Sequence, residues 1–292
     1  MRLAVIGDEI SQDPAVVADL AVRHGFPGVE IRSAWGCAPH LMSDGQLREV
    51  ARVLRGQGRE VAGFASPVFK HALPVTDREF EEASRLLHEC LRRAELIGAP
   101  TMRIFAFYRD GDPDPVVAGH AARRLLDGVP PRVPLVVETG TRTNTPSVRH
   151  LLEFLEVLDR PDIGVLWDPG NSVFSGWEPS PFPREYEAVR DLIRHVHVKD
   201  PAGQDSYVRL GEGDLAWTEI LGRLAEDDFE GYVSLETHWR TDRILTAGER
   251  DEPWGEGFST GGAEASAVCM ELLSEWYHRA TATATATDGA GR

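Results

Sequence analysis

"RHVHVKD" (residues 194–200) alternates strictly: His195, His197 and Lys199 fall on one face of an extended chain, Val196 and Val198 on the other. With the valines packed against a helix, two imidazoles and an ammonium point into an interior. Two further runs share this phase. In "PLVVE" (134–138) an inward Glu138 turns Leu135 and Val137 outward. In "GYVSLE" (231–236) an inward Glu236 turns Val233 and Leu235 outward and leaves small Ser234 inside. Apolar residues toward surrounding helices and polar ones toward an inner mouth describe a barrel.

Outward from these runs, short apolar strands alternate with longer amphipathic stretches along the chain. "LAVIG" (3–7), "GVEIR" (28–32), "EVAGFA" (60–65), "TMRIF" (101–105) and "IGVLWD" (163–168) complete the set of eight. Helical patterns follow over 13–25, 43–57, 77–98, 113–128, 145–158, 183–190, 215–227 and 262–279. Eight strand–helix units imply a parallel sheet with right-handed crossovers, here an α/β protein with a closed (β/α)8 TIM barrel. No GxGxxG follows the first strand, which counts against a dinucleotide-binding open sheet. The expectation is one domain over 1–279. The low-complexity stretch "ATATATATDGAGR" then predicts a disordered tail over 280–292, having nothing apolar to bury.

The 292 residues are 42% hydrophobic and 27% charged, the balance of a soluble globular chain with a large core. A net charge of −16 repels phosphate backbones and argues against a nucleic-acid partner. The apolar run before Asp8 and Glu9 is too short for a signal peptide or a membrane span. Cys37, Cys90 and Cys269 form neither a disulfide framework nor a CxxC pair, which fits a cytoplasmic protein. A homo-oligomer is compatible with all of this.

Four strands end in a metal-capable side chain: Glu138, Asp168, His197 and Glu236, separated by 30, 29 and 39 residues. In a barrel these ends sit side by side on the C-terminal rim. Three carboxylates so close repel one another unless a divalent cation neutralises them. Three oxygen donors and one imidazole suit Mn²⁺ first, then Mg²⁺ or Co²⁺, and admit Zn²⁺. Lys199 reaches over the mouth, able to stabilise developing negative charge or hold a carboxylate or phosphate. Glu30 and Arg103, inward in one layer, are expected to form an ion pair beneath the site. Trp35, Phe69, Phe107 and Trp177 lie just past strand ends, placed to form an apolar wall of the mouth. The Gly-rich stretch 248–262 suits a lid.

The motifs "VVETG", "LWDPGN", "RHVHVKD", "LGEGDLAW" and "VSLET", with "GDEIS", "GVEIRS" and "FASPVFK" at the first three strand ends, resemble a known family. It is the sugar phosphate isomerase/epimerase family with the xylose isomerase-like barrel, and the resemblance runs over 1–279. It implies one divalent metal held by Glu138, Asp168, His197 and Glu236, the two glutamates serving as an acid–base pair on opposite faces of the substrate. It also implies a loop after strand seven where Arg209 contacts substrate oxygens. One position departs: ketose 3-epimerases of the family carry a substrate-contacting His where this chain has Asn171, and an amide cannot transfer a proton.

Such a site removes a proton next to the carbonyl of a sugar or cyclitol, giving a metal-bound enediolate. Returning the proton epimerises or isomerises; expelling a β-hydroxyl instead makes a dehydratase of the inosose dehydratase type. The apurinic endonucleases that share this barrel use further His ligands, which "GFASPVFK" and "TMRIFAFY" do not supply.

Overall fold

Every strand anticipated from the alternation enters one closed parallel sheet in a computed structural model, which describes residues 1–130 and 132–290, with side chains as far as Ala284. The first seven strands are β1 (Arg2–Ile6), β2 (Gly28–Ile31), β3 (Glu60–Phe64), β4 (Met102–Ile104), β5 (Leu135–Glu138), β6 (Gly164–Trp167) and β7 (Ile193–Val198). A small antiparallel hairpin of β8 (Asp200–Ala202) and β9 (Ser206–Val208) follows, and then β10 (Tyr232–Leu235). The barrel closes where β10 pairs with β1, Val233 opposite Leu3 and Leu235 opposite Val5. Val61, Ile104, Val137, Val165, Val196 and Leu235 are all buried under the helices.

The helices start where the sequence supplies a cap. α1 (Pro14–Arg23) begins with Asp13 accepting from the amide of Ala15. α2 (Asp44–Gly56) and α3 (Asp77–Ile97) open on capping boxes, Ser43 with Gln46 and Thr76 with Glu79. α4 (Pro115–Leu126) has Asp114 at its N-cap and proline in its first turn. Each lays an apolar stripe on the barrel; in α3 it is Leu87, Cys90, Leu91, Ala94 and Ile97. α5 (Val148–Leu158) packs closely on α4 at Gly119, where an added Cβ would stand 2.8 Å from Val157 Cβ and 3.1 Å from the Phe154 carbonyl.

Three short elements go beyond the eightfold pattern. α6 (Pro169–Phe174) springs directly from β6, and α7 (Arg184–Val189) and α8 (Trp217–Glu226) follow in order. Along the Gly-rich stretch run α9 (Ala247–Asp251) and α10 (Glu256–Ser259), so it carries structure of its own. α11 (Gly262–Ala290) continues past the expected boundary at 279: helical backbone covers 280–290, and 291–292 lie outside the described residues. Alanine is the best helix former, and the threonine hydroxyls bond back one turn, Thr281 to the Tyr277 carbonyl and Thr283 to that of Arg279. Among the described residues no helix is long and apolar enough to cross a membrane.

Glu185 in α7 ties three helices together. Its Oε1 accepts from the Val148 amide at the start of α5 (2.8 Å), and its Oε2 from the Ser172 hydroxyl in α6 (2.9 Å). Burial without a cation pushes its pKa up to about 7, against these hydrogen bonds. A folded-state pKa above the unfolded one gives stability that is present below about pH 4.5 and lost as pH rises through about 7, on the order of 3 kcal/mol. Glu185→Gln keeps an acceptor for Val148 and removes this slope. Denaturant unfolding from pH 4.5 to 8.5 should show the variant gaining on the wild type as pH rises. Separately, Gly119→Val should lower stability by about 1–3 kcal/mol through overpacking of α4 on α5, read as a drop in Tm.

Candidate active site

Glu138, Asp168, His197 and Glu236 converge at the C-terminal mouth, one ligand atom from each within 4.8 Å of all the others, and all four side chains are buried. His197 Nδ1 lies 3.5 Å from Glu138 Oε1, 3.5 Å from Glu236 Oε2 and 3.7 Å from Asp168 Oδ2, and no group hydrogen-bonds to it. Asp168 Oδ2 and Glu138 Oε2 also accept no hydrogen bond. They are engaged only as ion pairs, at 2.7 Å from Lys199 Nζ and 3.0 Å from Arg103 Nη1.

Behind the imidazole, His197 Nε2 is 3.1 Å from Glu30 Oε2. A carboxylate only accepts, so the ring's proton sits on Nε2 and the Nδ1 lone pair aims at the three carboxylates. A lone pair buried among anionic oxygens is satisfied by a cation at their centre, either a proton or a metal. Burial opposes charge on the ring, but Glu30 and the surrounding carboxylates outweigh it and raise the His197 pKa well above its ordinary value. The donor set itself, three carboxylates and one imidazole nitrogen within reach of one point, fits a divalent ion.

The other two clusters of similar composition do not fit one. In Glu30–His195–His197 both Nε2 atoms already face Glu30, His195 at 3.0 Å. In Glu9–Glu236–His238, His238 Nδ1 is bonded to Glu9 Oε1 at 2.7 Å, and Arg240 and Arg32 supply the positive charge.

The expected Glu30–Arg103 pair does not form. Glu30 turns to the two histidines, while Arg103 pairs with Glu138 on the adjacent strand and donates to the Ser66 and Ala65 carbonyls. Burial disfavours the Glu138 anion, yet Arg103 and His197 hold its pKa down at about 2. Asn171 also steadies Glu138, its Nδ2 donating to Oε1 at 3.0 Å and to the Thr139 carbonyl at 2.7 Å. Asp168 caps α6, its Oδ1 accepting from the Asn171 amide at 3.0 Å.

Lys199 reaches inward, Nζ 2.7 Å from Asp168 and ion-paired with Glu236; Asp200 turns away to backbone amides. Opposite, Arg32 is buried against three carboxylates: Asp8 at 2.8 Å, Glu9 at 2.7 Å and Glu236. Sequence reasoning missed Arg32 and His238 as site residues, although the signal was present. Each stands two residues beyond an inward glutamate, Glu30 or Glu236, as Lys199 stands beyond His197. His238 holds a left-handed backbone, φ 45, an uncommon state for a side chain of this size, fixed here by Glu9.

A cavity of about 460 Å³ opens above the quartet, lined among others by Glu138, Asn171, Lys199, Tyr207, Glu236 and His238. Arg209 is not in its wall: the side chain is 43% exposed and pairs with Glu212 at 2.8 Å. Trp35 (42% exposed) and Trp177 (39%) also stand outside. Phe69 and Phe107 stack on each other beneath the wall, ring centres 4.7 Å apart, leaving Phe105 and Phe174 to line it. The Gly-rich stretch contributes Arg250, Asp251 and Trp254.

The protein is thus an eight-stranded parallel barrel with a carboxylate–imidazole quartet at its C-terminal mouth. The chain belongs to the xylose isomerase-like TIM barrel family, which matches residues 18–260. An inosose dehydratase of Clostridium tetani is 21% identical over 212 residues, 65% of this chain and 58% of that protein; the chain spans less than two thirds of the curated relatives it matches. Among solved structures, a probable 3-DHS dehydratase from Bacillus anthracis superposes with a TM-score of 0.69 at 18% identity, covering 94% of this chain and 99% of that one. An L-ribulose 3-epimerase gives 0.74 at 12% identity, covering 100% and 99%. Epimerases and dehydratases thus both share the fold.

Removing the Arg32 guanidinium strands Asp8, Glu9 and Glu236 in the interior. Arg32→Met, close in volume, should cost about 3–5 kcal/mol of unfolding free energy in a denaturant titration.

Proposed function

We propose that the chain is a metal-dependent isomerase or epimerase that removes a proton next to the carbonyl of a small sugar or cyclitol. The observation that carries this is the unpartnered His197 Nδ1 facing three carboxylates. Glu138, Asp168, His197 and Glu236 would hold one divalent ion; three oxygens and one nitrogen suit Mn²⁺. Bound there, such an ion polarises a hydroxy-ketone and acidifies its neighbouring C–H.

The two glutamates are not equivalent. Glu236 has both oxygens engaged by cations, Arg32 and Lys199. Glu138 Oε2 accepts no hydrogen bond, although Arg103 stands beside it. We therefore assign removal of the first proton, and its return to the neighbouring carbon, to Glu138 Oε2, and stabilisation of the developing oxyanion to Lys199. Return to the opposite face, which would epimerise, falls to Glu236 once it has taken a proton from the Lys199 ammonium paired with it. Asn171 positions Glu138 and offers its amide to a substrate hydroxyl. A lyase reading has the same first step followed by loss of a β-hydroxyl. The sequence similarity to an inosose dehydratase favours it, and product analysis separates the two outcomes. The unpaired cysteines suit a reducing cytoplasm.

Metal-loaded protein incubated in D₂O with keto sugars and inososes should incorporate deuterium at carbon. Glu138→Gln should keep the fold and lose exchange by about 10²–10⁴-fold. His197→Ala should lose stoichiometric metal. Undiminished metal in His197→Ala, or near-wild-type exchange in both Glu138→Gln and Glu236→Gln, would overturn the assignment.

A further inference from the structure

The cavity has the opposite charge to the molecule around it. The chain carries 47 acidic residues against 31 lysines and arginines, so a cation on its surface readily finds a carboxylate. In the cavity wall the acidic side chains are Glu138, Glu236 and Asp251, and each is already ion-paired: with Arg103, with Arg32 and Lys199, and with Arg142. Three further cations in the wall have no carboxylate within ion-pair distance among the described residues. Lys70 donates only to the Asp251 backbone carbonyl. Arg109 donates only to the Thr141 and Gly111 carbonyls. Arg250 donates to the Leu245 carbonyl and lies over the Phe174 ring, 5.2 Å from its centre.

These three come from separate segments: the loop after β3, the loop after β4, and α9 of the lid. Strand periodicity does not put them in one cavity wall; the fold does. Lys70 is largely enclosed, and burial together with neighbouring Arg103 lowers its pKa to about 8, as befits a cation lacking a counter-charge. Concentrating unpaired positive charge in a low-dielectric cleft costs stability in the free protein, a cost that an anionic ligand relieves.

We infer that the substrate carries an anionic group, a carboxylate or a phosphate, which Lys70, Arg109 and Arg250 hold while its reacting carbons meet the quartet. The inference rests on the reading of this cavity as the active site and narrows its substrate class. Neutral keto sugars would exchange more slowly than keto sugars bearing the anionic group, and the lid would close on the anion through Arg250. Guanidinium pairs bind either oxyanion, so the group itself is read from binding.

D-Glucitol, D-gluconate and D-glucitol 6-phosphate share one polyol chain and differ only at a terminus. By isothermal titration calorimetry at low salt, at least one of the two anions should bind tenfold or more tightly than glucitol, and the tighter one names the group. Raising the salt to 0.5 M should erode the preference. In Arg109→Gln/Arg250→Gln the preference should fall below twofold, with an unchanged thermal melt showing that the fold is intact. Equal affinity for all three ligands, no binding of either anion, or a preference that survives the double substitution would overturn the inference. The same titration with His197→Ala separates it from the proposed function: the anion preference should persist there whether or not the quartet binds metal.

Discussion

Arg32 brings one guanidinium into a space enclosed by Asp8, Glu9 and Glu236, side chains that lie just past the ends of β1 and β10, the two strands whose pairing closes the barrel. Closure there would otherwise press three anions together with no water to separate them. The guanidinium makes the closed sheet tolerable and also fixes Glu236 Oε1, leaving Oε2 to face His197. Glu30 does the equivalent from β2 for the imidazole, and Arg103 from β4 for Glu138. Every quartet member is thus oriented by a charged or amide partner of its own, which is how a cluster of like charges keeps one geometry.

Much of this was legible in the sequence, because a strand's alternation decides which side chains point inward and repeat spacing decides which strand ends are neighbours. Glu138, Asp168, His197 and Glu236 follow from those two rules. Alternation does not say which inward residue meets which. Glu30 and Arg103 share a layer, yet the register slips between Val29 and Glu30, and Glu30 reaches the histidines of β7 instead. Loop residues carry no period at all. Position past a strand end points Trp35 to the mouth and the family resemblance points Arg209 there, yet both loops turn those side chains toward solvent. Lys70, Tyr207 and Arg250 enter the cavity from loop, hairpin and lid, and no local pattern marks them.

The family fold hosts epimerases and dehydratases alike, so the barrel alone does not choose between them. Around the quartet this chain places an amide at position 171, a lysine on two of the quartet's carboxylates, and a 248–262 stretch bearing both charges.

A lysine side chain has four rotatable bonds and ordinarily explores them all. Lys199 cannot. Its carbonyl accepts from Trp217 Nε1 at 3.1 Å, and the next residue, Asp200, is bound by the amides of Gly211, Gly213 and Leu215. Its stem lies in a slot that only glycine leaves open, for a Cβ on Gly170 would come within 2.7 Å of Lys199 Cγ. An incoming molecule therefore meets an ammonium that neither searches for it nor steps aside. Little side-chain entropy remains to be lost on binding.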